Sequence, residues 1–169
     1  MNNVKLVEKA KEGDKQAFSE LYSAIYEEMY RYAYCVLQDT YDAEDVVSET
    51  VLDAYKSIRL LKDEKLFKNW IFKILSNKCK RKIATYYEKS IPLNEEIGVL
   101  YEKSKDTEGI MDLKNAFKEL SFEEKCIVTY KAIQGYSSKE IAAMLNLNEN
   151  TVRSKLSRAV SKMKCRVEA

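Results

Sequence analysis

Chain-breaking residues are nearly absent from this sequence except in one short stretch. The only proline, Pro92, and two of the four glycines, Gly98 and Gly109, fall within residues 90–109 of a 169-residue chain. A turn-dense β fold needs glycine-, proline- or asparagine-containing turns at its hairpins, and a disordered chain needs far less apolar content than the 46% found here. The sequence therefore predicts an all-α protein of two small helical domains joined by a flexible linker. The domains are expected at 1–88 and 113–169, with an acidic linker at 89–112. Fully extended, about 20 linker residues would reach roughly 65–70 Å.

Within the first domain, apolar residues recur at three- and four-residue spacing over 4–10, 18–37, 43–58 and 66–86, which predicts a helix over each. Asp42 is the expected N-cap of the third, because its carboxylate can accept a first-turn amide proton. In the second domain, Ser121-x-x-Glu124 and Ser137-x-x-Glu140 have the spacing of two capping boxes, and Gly135 should end the helix opened by the first. The short helix that follows places Ile141, Ala142 and Leu145 inward. A turn through Asn146 and Leu147 then leads to a last helix with Val152, Leu156, Ala159 and Met163 inward, the spacing of a helix-turn-helix. Asparagine tolerates the positive φ that such a turn requires.

Net charge is only +2, but charge is sorted along the chain. Residues 39–53 hold six acids and no base, residues 65–82 seven bases and no acid, and residues 139–166 seven bases against two acids. Three surfaces emerge at 100° per residue. On the last helix, Asn150, Arg153, Ser154, Ser157 and Arg158 gather opposite the apolar side. Arginine can clamp guanine with two hydrogen bonds, and serine reaches bases or phosphates; the competing reading is a solvated polar face. On the 66–86 helix, Phe67, Trp70, Ile71 and Ile74 form the expected apolar face. The other side presents Asn69, Lys73, Ser76, Asn77 and Lys80, with Arg81 and Lys82 beyond, and no glutamate at i±4 compensates them. On the 43–58 helix, Ala43, Val47, Val51, Ala54 and Ile58 form the expected buried side. Asp45, Ser48, Glu49, Leu52 and Lys56 lie opposite, a face unsuited to DNA and suited to a protein partner with a basic groove and an apolar centre.

Several function classes drop out. With no histidine the chain lacks the usual neutral-pH general base and the commonest metal ligand, so serine–histidine and cysteine–histidine catalysis are excluded. Cys35, Cys79, Cys126 and Cys165 form no C-x-x-C pair, which points to reduced thiols rather than a zinc site. Asp45 and Glu49 are read as solvated acids rather than magnesium ligands. No phosphate-binding glycine loop is present, so neither enzyme chemistry nor a cofactor or metal is expected. The opening residues lack a signal-peptide apolar stretch, and no run approaches the about 18 apolar residues that span a bilayer. A cytoplasmic protein without membrane insertion is expected.

Three segments together resemble the extracytoplasmic-function group of bacterial RNA polymerase sigma factors. DAEDVVSETVLDAY resembles the family's DAEDLVQEVFLRAY-like helix, FKNWIFKILSNKCKRKI its W-L-x-x-I-A-x-N-x-x-x-D-x-x-R helix, and GYSSKEIAAMLNLNENTVRSKLSRAVSKMK its helix-turn-helix. Ser48 and Val160 replace the family's glutamine and arginine, while the buried positions are kept. The resemblance implies that Asp45, Ser48, Glu49 and Leu52 dock on the β′ clamp of core RNA polymerase. It implies that the 59–65 loop with Lys62 and Lys65, and the helix bearing Lys73, Asn77, Lys80 and Arg81, hold the −10 element of promoter DNA with one base flipped from its stack. Asn150, Arg153, Ser154, Ser157 and Arg158 would read the −35 element, their domain would sit on the β flap, and the acidic linker would follow the RNA-exit path. The family commonly has an anti-sigma factor as a further partner. The competing reading, a stand-alone helix-turn-helix transcription regulator, accounts for 121–166 but not for the charged helices before them; a helical enzyme or interaction bundle accounts for neither.

Overall fold

In the computed structural model, residues 3–89 and 107–167 are described, and they contain helices and no strand. They divide into two units, separated between Asn94 and Glu95.

The first unit contains α1 (Asn3–Glu12), α2 (Lys15–Ser23), α3 (Tyr26–Leu37), α4 (Thr40–Ser57) and α5 (Phe67–Lys89). Gly13, at φ +106, turns the chain between α1 and α2, and Asp14 caps α2 by accepting from the amides of Gln16 and Ala17 at 2.9 and 3.1 Å. The single helix expected over 18–37 is two. At the break Ala24 keeps an amide bond to Glu20, but Ile25 bonds only three residues back, to Tyr22. No glycine or proline marks this point, so local sequence carried no signal for it. Gln38 ends α3 in the left-handed region at φ +59.

The N-cap of α4 is Asp39, not Asp42: its carboxylate accepts the Asp42 amide at 2.9 Å. Starting three residues earlier frees the Asp42 side chain for an ion pair with α5. The buried side of α4 is Ala43, Val46, Val47, Thr50 and Ala54, with Val51 only half-buried. Two short 3₁₀ turns, Ile58–Leu60 and Glu64–Leu66, lead into α5.

Because α5 packs against both α3 and α4, its apolar arc is wider than one stripe. Phe67, Ile71, Phe72, Leu75, Ser76 and Cys79 are buried, whereas Trp70 and Ile74 are half-buried. Ser76 therefore does not lie on the outer face where periodicity alone puts it. It is 4% exposed and shares a 2.9 Å hydrogen bond with the hydroxyl of buried Tyr32, whose ring meets Phe72 edge-on. That bond lets a tyrosine hydroxyl enter an apolar core without the cost of an unpaired donor.

The second unit contains α6 (Thr107–Lys118), α7 (Phe122–Ala132), α8 (Ser138–Leu145) and α9 (Glu149–Val167). Of the linker expected at 89–112, residues 90–106 lie outside the described residues, and 107–112 belong to α6. Gly109 read as a breaker, yet glycine inside a helix costs only about 1 kcal/mol, an amount that packing can offset. α6 lies against α9, as do α7 and α8. Both capping boxes form, and Gly135 turns the chain at φ +69. Asn146 has φ +56, and the amides of Asn146 and Leu147 both reach the Ala142 carbonyl. This closes α8 tightly enough for Ile141, Ala142 and Met144 to share a core with Val152 and Ala159.

That turn sets a first expectation. Asn146→Gly should leave the stability of the second unit unchanged or slightly higher, and Asn146→Val should lower it by about 1–2 kcal/mol in denaturant unfolding, the cost of a left-handed β-branched residue. A valine variant as stable as the parent would show that the turn does not need this conformation.

Candidate nucleic-acid interface

Pairing within each unit sorts the basic residues into two kinds. On α9, three cations pair with acids of α7 and of the segment before it: Lys155 meets Glu123 at 2.8 Å, Lys162 meets Glu124 at 3.0 Å, and Arg166 meets Glu119. Burial alone would raise the Glu124 carboxyl, but hydrogen bonds from Ser121 and Lys162 outweigh it and hold the group below the usual carboxylate range. The capping acid of α7 thus also fastens α9. Asn150, Arg153, Ser154, Ser157 and Arg158 are all exposed, on one face as the periodicity requires. Asn148 holds the start of α9 by accepting the Asn150 amide at 2.8 Å. Arg153 is paired with Glu149 one turn earlier, and Arg158 donates from Nε to the Ser154 carbonyl at 3.3 Å. Both guanidiniums are thereby held along the outer face of the helix. Arginine in such a position can offer a base edge two parallel donors.

In the first unit the sorting runs between helices. Lys78 on α5 meets Glu49 at 3.0 Å and Asp53 at 2.8 Å on α4, and Lys82 meets Asp42 at 3.0 Å and Asp45 at 2.9 Å. The Lys78 hydrogen bond holds the Asp53 carboxyl below its ordinary value. Burial pulls Lys78 down, but pairing with Asp53 and Glu49 outweighs it, while for Lys82 the hydrogen bond it donates to Asp45 leads and raises it. The acids that compensate α5 thus come from the neighbouring helix rather than from i±4. The sequence held the clue in its two opposite charge blocks.

Lys73, Asn77, Lys80 and Arg81 remain exposed on α5, and the three cations among them make no ion pair among the described residues. Lys62 and Lys65 are exposed on the segment before α5. Asp45, Ser48, Glu49 and Leu52 are exposed together on α4, with Leu52 at 58%. Two of these acids, Asp45 and Glu49, are therefore shared with Lys82 and Lys78. No group of three or more acids, cysteines or histidines among the described residues is arranged to hold a metal ion, and no helix among them is long and apolar enough to cross a membrane.

Residues 21–86 match the family model described as Sigma-70 region 2, and residues 110–163 match Sigma-70, region 4. The chain is 23% identical over 162 residues to the extracytoplasmic-function (ECF) RNA polymerase sigma factor SigM of Mycobacterium tuberculosis, covering 96% of this chain and 83% of that protein. It is 27% identical over 138 residues to RNA polymerase sigma factor SigV of Bacillus subtilis, covering 82% and 83%. Its fold is similar to that of CnrH in complex with the cytosolic domain of CnrY (TM-score 0.76, 20% identity, 98% and 97% covered). It is also similar to the sigma factor RpoE in complex with the anti-sigma factor NepR from Bartonella quintana (TM-score 0.78, 20% identity, 90% and 97% covered). The chain belongs to the sigma-70 family and is an RNA polymerase sigma factor of the extracytoplasmic-function type.

The ion pairs between α4 and α5 carry a pH signature. A carboxylate whose folded value is lowered adds stability that is present above its unfolded value and is lost as pH falls through the folded one. A lysine whose value is raised adds stability that is present below its unfolded value and is lost as pH rises through the folded one. The Asp53–Lys78 pair is therefore complete between about pH 4 and about pH 10. In Lys78→Met, the acid limb of the stability profile of the full chain should flatten, as measured by urea unfolding from neutral pH downward. An acid limb identical to the parent's would show that this pair adds nothing to stability.

Proposed function

We propose that the chain recruits core RNA polymerase to promoters through three surfaces, acting as an initiation factor rather than an enzyme. Residues 1–88 bind the core enzyme and the −10 element, residues 113–169 bind the −35 element and the β flap, and 89–112 serve as the acidic connection along the RNA-exit path. Asp45, Ser48, Glu49 and Leu52 dock on the β′ clamp, where an exposed leucine among acids suits a basic groove with an apolar centre. Lys62, Lys65, Lys73, Asn77, Lys80 and Arg81 hold the −10 strand, the cations on phosphates and the amide on an exposed base. A pocket that accepts only the flipped base shifts the pairing equilibrium toward the open strand. Asn150, Arg153, Ser154, Ser157 and Arg158 enter the major groove of the −35 element.

The observation that supports this most is the sorting of charge. Ion pairs engage Lys78, Lys82, Lys155, Lys162 and Arg166, whereas Lys62, Lys65, Lys73, Lys80, Arg81 and Arg158, which the two DNA surfaces need, are exposed and make no ion pair among the described residues. The chain acts in the cytoplasm, where its polymerase is. An anti-sigma factor is a further partner, in keeping with the complex of the similar sigma factor RpoE with the anti-sigma factor NepR.

Run-off transcription with bacterial core polymerase on a promoter library tests the assignment. Arg158→Ala should shift preference at the upstream element, by about 1–3 kcal/mol at the base it reads. Asn77→Ala should impair opening without changing that preference. If both variants transcribe like the parent, these residues do not read promoters.

A further inference from the structure

The segment between α4 and α5 is fastened from outside by the first helix. In this loop, residues 58–66, Ile58 and Leu61 are buried, and exposed Arg59, Leu60, Lys62 and Lys65 are the long side chains turned outward. Short-range bonds shape its two turns: Leu61 amide to Ile58 carbonyl at 3.1 Å, Leu66 amide to Asp63 carbonyl at 3.0 Å, and Lys65 amide to the Asp63 carboxylate at 3.0 Å. None of these bonds sets the position of the loop relative to the helices. Buried Ile58 and Leu61 seat it on the core, and Lys11, on the last turn of α1, adds polar bonds across it. Its ammonium donates to the Leu61 carbonyl at 2.9 Å and pairs with Glu64, so one side chain bridges both turns from 50 residues away. Lys11 and Glu64 are each about three-quarters covered. A charge-assisted bond so sheltered from water is stronger and less screened than a surface pair.

We propose that Lys11 is a positioning residue for promoter opening: it fixes the 58–66 loop so that Lys62 and Lys65 meet the −10 strand in one geometry. The inference rests on the reading of that loop as part of the −10 surface. A loop that must hold an unpaired strand gains from being fixed in advance, because any ordering left until binding subtracts from the affinity. Lys11 itself touches no nucleic acid, and its influence passes through the backbone at Leu61 and the carboxylate of Glu64.

The test uses the full chain with core polymerase and follows opening at the −10 element by the fluorescence of a 2-aminopurine placed there. A duplex promoter is compared with one carrying a pre-melted mismatch at the same site. Lys11→Met should slow duplex opening about tenfold, equivalent to about 1.4 kcal/mol, with a smaller loss on the pre-melted promoter and unchanged affinity for core. Lys11→Arg, which keeps a long cation, should restore most of the rate. Glu64→Gln weakens the anchor while leaving Lys11 in place, should slow opening by a smaller factor, and decides the matter if Lys11→Met does not fold.

The controls Lys62→Ala and Lys65→Ala separate the two levels of the argument. If they impair opening and the Lys11 and Glu64 variants do not, the positioning role is overturned and the loop assignment survives. If the controls open normally, the loop assignment fails and the positioning role with it. Equal losses in core affinity and opening would mark Lys11 as merely structural and overturn the proposal.

Discussion

The first unit depends on a contact between two helices of opposite charge. α4 and α5 bury a shared apolar seam and carry, along one edge, four ion pairs made by only two lysines. Each exposed pair contributes at most about 1 kcal/mol, so the seam supplies most of the stability and the pairs chiefly fix how the helices align. Alignment is what function requires. It places Asp45, Glu49 and Leu52 on one outer surface while the unpaired cations of α5 occupy another. Without the lysine bridges, one helix would present like charges with no counterpart.

The second unit solves the same problem with α9 at its centre. Its buried Val152 and Ala159 meet the cores of the three shorter helices, and Lys155, Lys162 and Arg166 fasten it to acids of α7 and of the segment before it. Rigid support on one side leaves the other free to present donors in a fixed pattern, which groove recognition needs more than raw charge does. The left-handed Asn146 is the hinge of that arrangement: it brings α8 close enough to brace the start of α9.

Much of this was legible in the sequence where the signal is local. Ser121-x-x-Glu124 and Ser137-x-x-Glu140 form capping boxes, and Asn146 takes the left-handed turn, because each motif depends on residues within four positions of one another. The outer faces of α4 and α9 also followed from helical period, as did the exposure of Lys73, Asn77, Lys80 and Arg81 on α5, although Asn69 and Lys82 are only half-exposed there. What failed was set by tertiary packing. The break at Ala24 and Ile25 has no local marker, Ser76 is buried because α5 faces two helices at once, and α6 continues through a glycine that read as a boundary. The cap of α4 is Asp39 rather than Asp42, whose carboxylate instead pairs with Lys82 of the neighbouring helix. The bridge from Lys11 to the 58–66 loop spans too long a stretch of chain for any pattern to reveal.

Each outward basic face is small, which in the proposed reading ties promoter recognition to core polymerase. Affinity for DNA falls with salt in proportion to the number of phosphates neutralised, and either face alone can neutralise few. The most direct measurement is the affinity of the purified chain for a cognate promoter fragment at physiological salt, with and without core enzyme, by fluorescence anisotropy. Weak, sequence-indifferent binding by the chain alone, turning tight and sequence-selective on addition of core, is the expected result. Tight, selective binding by the isolated chain would contradict the account.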